Sequence, residues 1–524
     1  MTSAMTDVIL DPDHNEPSTA LRQADSGALR VWLKAPPSPN PGDDLAPLSA
    51  HLSSLRLSQT PPQQRAMLLG QLYCRSIATL NALRPGFADI SLPLPHNIRV
   101  TTSRLQKLLR SLAEDMLATP NIMDGHLIRG LREQQATLLH SSVYALSQHL
   151  LISNLIASPV ETGIWPLLHK TYATARRLKV ANITPEGSSS TLQDVYHSAL
   201  LLGCAQPASL TSRELEFLAS FLEQFADHIE LLHGILTELS AAFWIDPAAD
   251  VAAFPCARKA VPRGDAIDYF SCAKVARLLK GQLEALESGH APQGLKLPDF
   301  AGTPAGRGVL RRLIAYWSDP GKRRFPRRHQ NHRALLCAGL DNLWCLLQNR
   351  ENAESETSSW MITNESPEGY AVMHVSGKPG RLSVGEVTAI RTETETDWKI
   401  CIVRWALSEN QVHFELGLQI LATNAVPAFL ARSGESNAAS GLSVLILPKI
   451  PAIGGSEMMV VPSGALENRD SNHVLVIEQD NITIREVRST HVNEQNSQIE
   501  VFSITPDASP DDESLYSPQS LKPE

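Results

Sequence analysis

The apolar residues of this chain change their period near residue 330, and no other feature constrains the fold as tightly. Before that point they recur at helical spacing: Leu105, Leu108, Leu109 and Leu112 stand at i, i+3, i+4 and i+7 and form one stripe. Similar stripes run through 62–83, 128–156, 190–203 and 212–238. After it they alternate. In 411–421, Val412, Phe414, Leu416, Leu418 and Ile420 alternate with His413, Glu415, Gly417 and Gln419, the pattern of a strand with one buried face. In 398–405, Trp398, Ile400, Ile402 and Arg404 face one way while Lys399, Cys401, Val403 and Trp405 face the other. The expected fold class is therefore multidomain α plus β, with an N-terminal α-helical domain followed by antiparallel strands in a barrel or sandwich.

At 524 residues the chain is too long for one ordinary core, and roughly three units are expected. Residues 1–45 are rich in Asp, Ser and Pro and read as a flexible leader. The helical domain is expected over 46–240, with a helix start at Thr211-Ser212-Arg213-Glu214, where a hydroxyl and an acid can meet the exposed amides. A mixed junction follows over 241–305, with short strands at Phe243-Trp244-Ile245 and Ala266–Phe270 and a helix over Ala273–Glu287. Alternating segments at 442–447, 457–461, 473–478, 481–487 and 499–504 suggest a further C-terminal β-unit spanning 436–506, either a second unit or an extension of the first, before an acidic, Ser/Pro-rich tail at 507–524.

Hydrophobic residues make up 43% of the chain and charged ones 19%, the proportions of a soluble globular protein. The net charge of −9 argues against a surface that coats nucleic acid or anionic lipid throughout, so any anion site must be local. The cysteines at 74, 204, 256, 272, 337, 345 and 401 lack the short paired spacing of a zinc or redox site and read as reduced thiols. Asp7, Asp11 and Asp13 occupy the stretch that a signal peptide would make hydrophobic, and Leu150–Ile156 is far shorter than the ~20 residues of a membrane span, so a cytoplasmic location is expected.

One local concentration of charge stands against this acidic background. Arg307, Arg311, Arg312, Lys322, Arg323, Arg324, Arg327, Arg328 and Arg333 are opposed only by Asp319. The first of them share an amphipathic helix with Leu310, Leu313, Ile314 and Trp317, which Ser318-Asp319-Pro320-Gly321 ends. The segment after it, Arg323-Arg324-Phe325-Pro326-Arg327-Arg328, contains Arg-x-x-x-Arg in two registers, 323/327 and 324/328. Guanidinium groups fork onto phosphate oxygens or a guanine edge and stack on purines, tasks a lysine ammonium performs poorly. The same cluster would equally serve as a solvated basic face or as a dock for an acidic partner. Further on, Asn364-Glu365-Ser366-Pro367-Glu368-Gly369 separates two strand-like stretches. Read alone it is a turn; Asn364 and Ser366 can also bond a base edge, and Gly369 permits a backbone that other residues resist.

Arg-x-x-x-Arg before a β-barrel, followed by Asn-x-Ser-x-x-Gly between two strands, resembles the PilZ family, the bacterial cyclic di-GMP receptor module. Val384-Gly385-Glu386-Val387 through Ile390-Arg391, Val403-Arg404-Trp405 and Glu415-Leu416-Gly417-Leu418 resemble that family's later strands. The resemblance implies an antiparallel six-stranded β-barrel within 306–432, including the arginine-rich linker. It also implies a second-messenger receptor in which Arg323, Arg324, Arg327 and Arg328 clamp the dinucleotide against Asn364, Ser366 and Gly369, with output through protein contacts of the helical domain. Cyclic di-GMP would then be a regulatory ligand rather than a catalytic cofactor. The sequence departs from the family pattern at His329-Gln330-Asn331-His332, which lengthens the path from the arginines to the first strand, and at Asp341–Glu356, an inserted helix plus loop.

No Gly-x-Ser-x-Gly elbow, Walker-type loop or His-Glu-x-x-His helix is present, and an enzyme is not expected. His329 and His332 have no carboxylate or thiol nearby in sequence to complete a metal site, and the tryptophans lie in apolar patterns that point to core packing. Two other functions compete with the receptor: a PilZ-like scaffold that binds a protein partner without nucleotide, and RNA binding through the same arginines.

Overall fold

The structure, a computed structural model, describes residues 26–87, 90, 92–123, 130–232, 241–261, 267–319, 326–348, 357–380, 382–409, 413–431, 441–448, 456–466, 472–478 and 482–506. Helices dominate the first part: α1 (Ser26–Lys34), α2 (Leu45–Leu57), α3 (Pro62–Leu83), α4 (His96–Met123), α5 (Leu131–Leu155), α6 (Ile164–Arg177), α7 (Leu192–Cys204) and α8 (Ser212–Phe225). Among the described residues a helix already covers Ser26–Lys34, within the stretch that composition assigns to a leader, and Leu29 is buried in the helical core. The Leu105 stripe is buried along its whole length, which is what its spacing requires.

The junction is a four-stranded sheet of β1 (Glu230–Leu232), β2 (Ala242–Ile245), β3 (Phe254–Pro255) and β4 (Asp268–Ser271) in the order β1-β4-β2-β3, followed by α9 (Ala273–Glu287) and α10 (Pro304–Ser318). α10 packs against α9 and sinks Val309, Leu310, Leu313 and Trp317 into the helical core. The chain then changes period, as its alternation requires.

Strands β5 (Arg328–Ala338), β6 (Thr357–Ser366), β7 (Gly369–Ser376), β8 (Val387–Thr392), β9 (Lys399–Ser408) and β10 (Phe414–Ala422) close into an antiparallel barrel in the order β10-β7-β6-β5-β8-β9. Its interior holds Leu336, Trp360, Val372, Cys401, Val403, Phe414 and Leu416, so Cys401 and Val403 take the inward face that the alternation gives them. The further β-unit is a second closed barrel. It is built from β11 (Val426–Ala431), β12 (Leu442–Leu447), β13 (Glu457–Pro462), β14 (Asn472–Glu478), β15 (Ile482–Gln495) and β16 (Ile499–Pro506), in the order β11-β12-β13-β16-β15-β14.

A short helix, α11 (Leu340–Leu347), leaves the far end of β5 and wedges between the two barrels. Its Leu343 and Trp344 pack with Val387, Ala389, Ile400 and Ile402 of the first barrel and with Leu445, Val460 and Val501 of the second. The Trp344 indole donates to the Ala428 carbonyl at 2.9 Å. The inserted helix is therefore the wedge of a core that both barrels share.

The helical domain is fastened to both barrels. Leu92 forms an isolated antiparallel bridge to Leu382 and adds its side chain to the first barrel's core. Arg99 donates to the Glu409 carbonyl at 2.8 Å and to the Ser408 hydroxyl at 3.0 Å. At the start of α8, Thr211 and Glu214 form the reciprocal cap, Oγ1 accepting from the Glu214 amide and Oε2 from the Thr211 amide. Glu214 is fully buried and its other oxygen accepts from Arg312 of α10 at 2.6 Å. Ser497, in the second barrel, donates to Thr211 Oγ1 at 2.9 Å, so one cap ties three parts of the molecule together. The barrels also bind each other: Arg404 pairs with Glu494 at 2.7 Å, and the Asn496 amide donates to the Gly385 carbonyl at 3.2 Å. Gly385 has φ +86°, and a Cβ there would strike the Asn496 side chain at 2.9 Å.

Candidate functional site

Antiparallel closure of the first barrel brings the start of β5, the end of β6, the start of β7, the end of β8 and the start of β9 to one end. The candidate residues are placed there by register. Arg328 stands opposite Glu365 and His329 opposite Asn364 on the β5/β6 ladder, while Ser366 pairs with Gly369 across β6/β7. Pro367 and Glu368 form the intervening turn, and the Ser366 hydroxyl donates to the Gly369 carbonyl at 3.3 Å. Arg327 and Arg328 are exposed; Asn364, Ser366 and Gly369 are half-buried. Arg323 and Arg324 lie outside the described residues.

Close approach, not a positive φ, explains Gly369. It pairs with Gln419 of β10, and a Cβ would lie 1.9 Å from the Leu418 carbonyl oxygen. The hairpin can lie this tightly on β10 only with no side chain at that point.

The His329–His332 stretch belongs to β5 itself, so the lengthened path expected between the arginines and the first strand is corrected: the strand starts at Arg328. The extra residue is absorbed by a bulge between His329 and His332, whose partners on β6 are Asn364 and Ile362. Gln330 within it donates to Glu365 at 3.2 Å. Among the described residues no three His, Cys, Asp or Glu side chains stand close enough to hold a metal ion.

Sequence reasoning overlooked a polar group at this end. Lys399, first residue of β9, donates to the Tyr370 hydroxyl at 2.9 Å and to Glu395 at 2.5 Å. Burial presses on all three groups. Against it, the hydrogen bonds to Glu395 and Tyr370 hold the lysine above its ordinary value, and those from Lys399 and Thr392 hold Glu395 below its own; burial wins at Tyr370, which is raised. The signal was available: Lys399 falls on the same face as Cys401 and Val403, where a strand expects an apolar residue. Nearby, the Arg391 guanidinium lies 4.5 Å from the centre of the Trp398 ring, on the β8/β9 side.

A six-stranded antiparallel barrel whose first strand opens with arginines beside an Asn-x-Ser-x-x-Gly hairpin is the arrangement of a PilZ domain. Residues 27–235 match the family model described as cyclic-di-GMP receptor FimW, N-terminal domain, and residues 345–427 the one described as cyclic-di-GMP receptor FimW, middle PilZ domain. The two models describe an N-terminal and a middle domain of one receptor, and their matches follow the same order along this chain; the first barrel is a PilZ domain. The curated cyclic-di-GMP receptor FimW of Pseudomonas aeruginosa is 22% identical over 520 residues, covering 83% of this chain and 83% of its own. No solved structure matches the chain. The PilZ match includes the Asn364 hairpin and begins after the arginines.

Proposed function

We propose that this protein is a cytoplasmic cyclic di-GMP receptor whose nucleotide is held between the arginines of 323–328 and the Asn364–Gly369 hairpin. The observation that carries this reading is the β5/β6 register, which sets Arg328 and His329 directly across from Glu365 and Asn364. Arg327 and Arg328 supply exposed guanidinium forks for phosphate or a guanine edge, and Arg323 and Arg324, from the preceding segment, would complete the clamp. Asn364 and Ser366 offer a carboxamide and a hydroxyl on the neighbouring strand. The relative's description as a cyclic-di-GMP receptor supports the same ligand. Output would pass through protein contacts of the helical domain, and the ligand acts as a signal, not as a catalyst's cofactor.

Titration calorimetry with cyclic di-GMP tests the assignment. Saturable binding is expected for the native chain, with loss in Arg323→Ala/Arg327→Ala and in Asn364→Ala/Ser366→Ala. No binding at tens of micromolar, or undiminished binding by both double variants, overturns it. One observation favours the competing scaffold reading: Glu365 adds a carboxylate beside the arginines, where it opposes an anion. That reading predicts a protein partner whose affinity falls with salt and is indifferent to nucleotide.

A further inference from the structure

The helical domain contains a cavity of about 580 Å³ bounded by α3, α5, α7 and α8 and by the loop Pro185–Ser190. None of its lining comes from either barrel, so it is separate from the arginine hairpin. Its volume lies within the range of small-molecule sites. Helix cores normally close such gaps with large side chains, and here they do not. The helices meet through Gly70, Ser141, Ser198, Ala199 and Ala219, and a Cβ built on Gly70 would meet nothing within 4 Å.

The polar groups around the cavity are not used up by the fold. Gln148 is 7% exposed, and its carboxamide, on the cavity wall, has no hydrogen-bond partner among the described residues. Its polar atoms are open to the cavity, where a ligand can bond to them. Tyr73 and Tyr144 contribute aromatic faces beside it.

Charge decides which ligand fits. Among the described residues the lining includes Glu186, Asp194 and Glu223 and neither lysine nor arginine. Asp194 is tied to the Thr191 amide and hydroxyl at 2.9 and 2.8 Å, which leaves Glu186 and Glu223 as exposed acids on the cavity wall. Arg84, whose charge reaches Tyr144, is already paired with Glu216 through two nitrogens. His140 bonds the Ser188 hydroxyl at 3.2 Å, and burial lowers its pKa, so it does not add a cation at neutral pH. Carboxylates at the rim, two tyrosine faces and an amide oxygen form a setting for an organic cation with an apolar body. A nucleotide would meet like charge there. We propose that this cavity is a second binding site, specific for small organic monocations and independent of the nucleotide site.

Cys74 lines the cavity and is exposed, so its alkylation reports occupancy. Phenethylamine is the probe and 3-phenylpropionate its anionic counterpart of similar shape. At about ten times its dissociation constant, the amine is expected to slow Cys74 alkylation about tenfold and to raise the melting temperature, while the acid does neither. Glu223→Gln should weaken the preference for the amine. Gly70→Leu fills the cavity from a helical position with open space; it should leave the protein folded and abolish protection. Equal protection by amine and acid, no protection at millimolar amine, or full protection in Gly70→Leu would each overturn the proposal.

Discussion

At the scale of single residues, Glu386 shows how the meeting of three domains shapes a carboxyl group. It lines a cavity of about 350 Å³ bounded by Leu92 and Asn154 of the helical domain, Leu382–Val384 of the first barrel and Ser497 of the second. Burial, and then the charge of Asp341, push its pKa from 4.5 up to about 7. Below about 4.5 both the folded and unfolded chains hold the proton, and Glu386 costs nothing. As pH rises toward 7 the unfolded chain releases its proton while the folded one keeps it, so stability falls through this window and stays lowered above it. Glu386→Gln should therefore gain on the native protein as pH rises, by up to about 3 kcal/mol above pH 7 and by little at pH 4.5. Thermal melts of both across this range check it. Gly369 provides a second test. Gly369→Ala forces a methyl against the Leu418 carbonyl and should cost about 1–3 kcal/mol in urea unfolding, since backbone cannot yield as a side chain tip does.

At the scale of elements, the bulge in β5 sets which way the arginine end of the strand points. Deleting Asn331 removes the extra residue and straightens the strand, but leaves Arg328 opposite Glu365 and His329 opposite Asn364, because two residues on β5 then span two on β6. The local bend and added twist that aim the arginines are lost, so calorimetry should show weakened nucleotide binding, while circular dichroism melts change little. α11 makes the complementary prediction. Trp344→Ala empties the wedge between the barrels and should cost about 3–5 kcal/mol in urea unfolding. These two elements also mark what the sequence could reveal. Strands with one wet face and one dry face, such as β10, were legible from alternation, as were α9 and the Thr211 cap. The closure of β11–β16 into a second barrel was not, because Ile400 and Ile402 face a neighbour instead of water, and alternation cannot tell two apolar faces apart. At the site, the hairpin and Arg328 were legible as motifs. Their adjacency depends on a register that runs through the bulge, and no local pattern encodes it.

At the scale of the whole molecule, the helical domain and the barrels are bound by buried polar contacts as well as by packing. Glu214 and Arg312 lie in this joint, the carboxylate fully buried. Glu214→Ala removes the carboxylate half of the α8 cap and leaves the Arg312 charge without its carboxylate partner; the expected loss is about 3–5 kcal/mol. Hydrogen exchange should localise it, with the amides of α8, α10 and the neighbouring end of β15 exchanging faster than those of the first barrel. Uniform acceleration across the chain would instead mean that the joint does not act as a local fastening. In sequence, α10 is followed by the arginine segment and then by β5. If the proposed nucleotide binds those arginines, it would act next in sequence to a helix anchored in the helical core by Trp317 and Arg312.

The core shared by the two barrels has a consequence for descent. Cys337, Val387, Ala389, Ile400 and Ile402 are apolar on the outside of a barrel that, standing alone, would present them to water. A gene that lost the second barrel by recombination would encode a protein with a sticky flank. Lineages carrying the PilZ barrel without the second one are thus expected to have polar residues at these five positions, and lineages carrying both to inherit them as a unit.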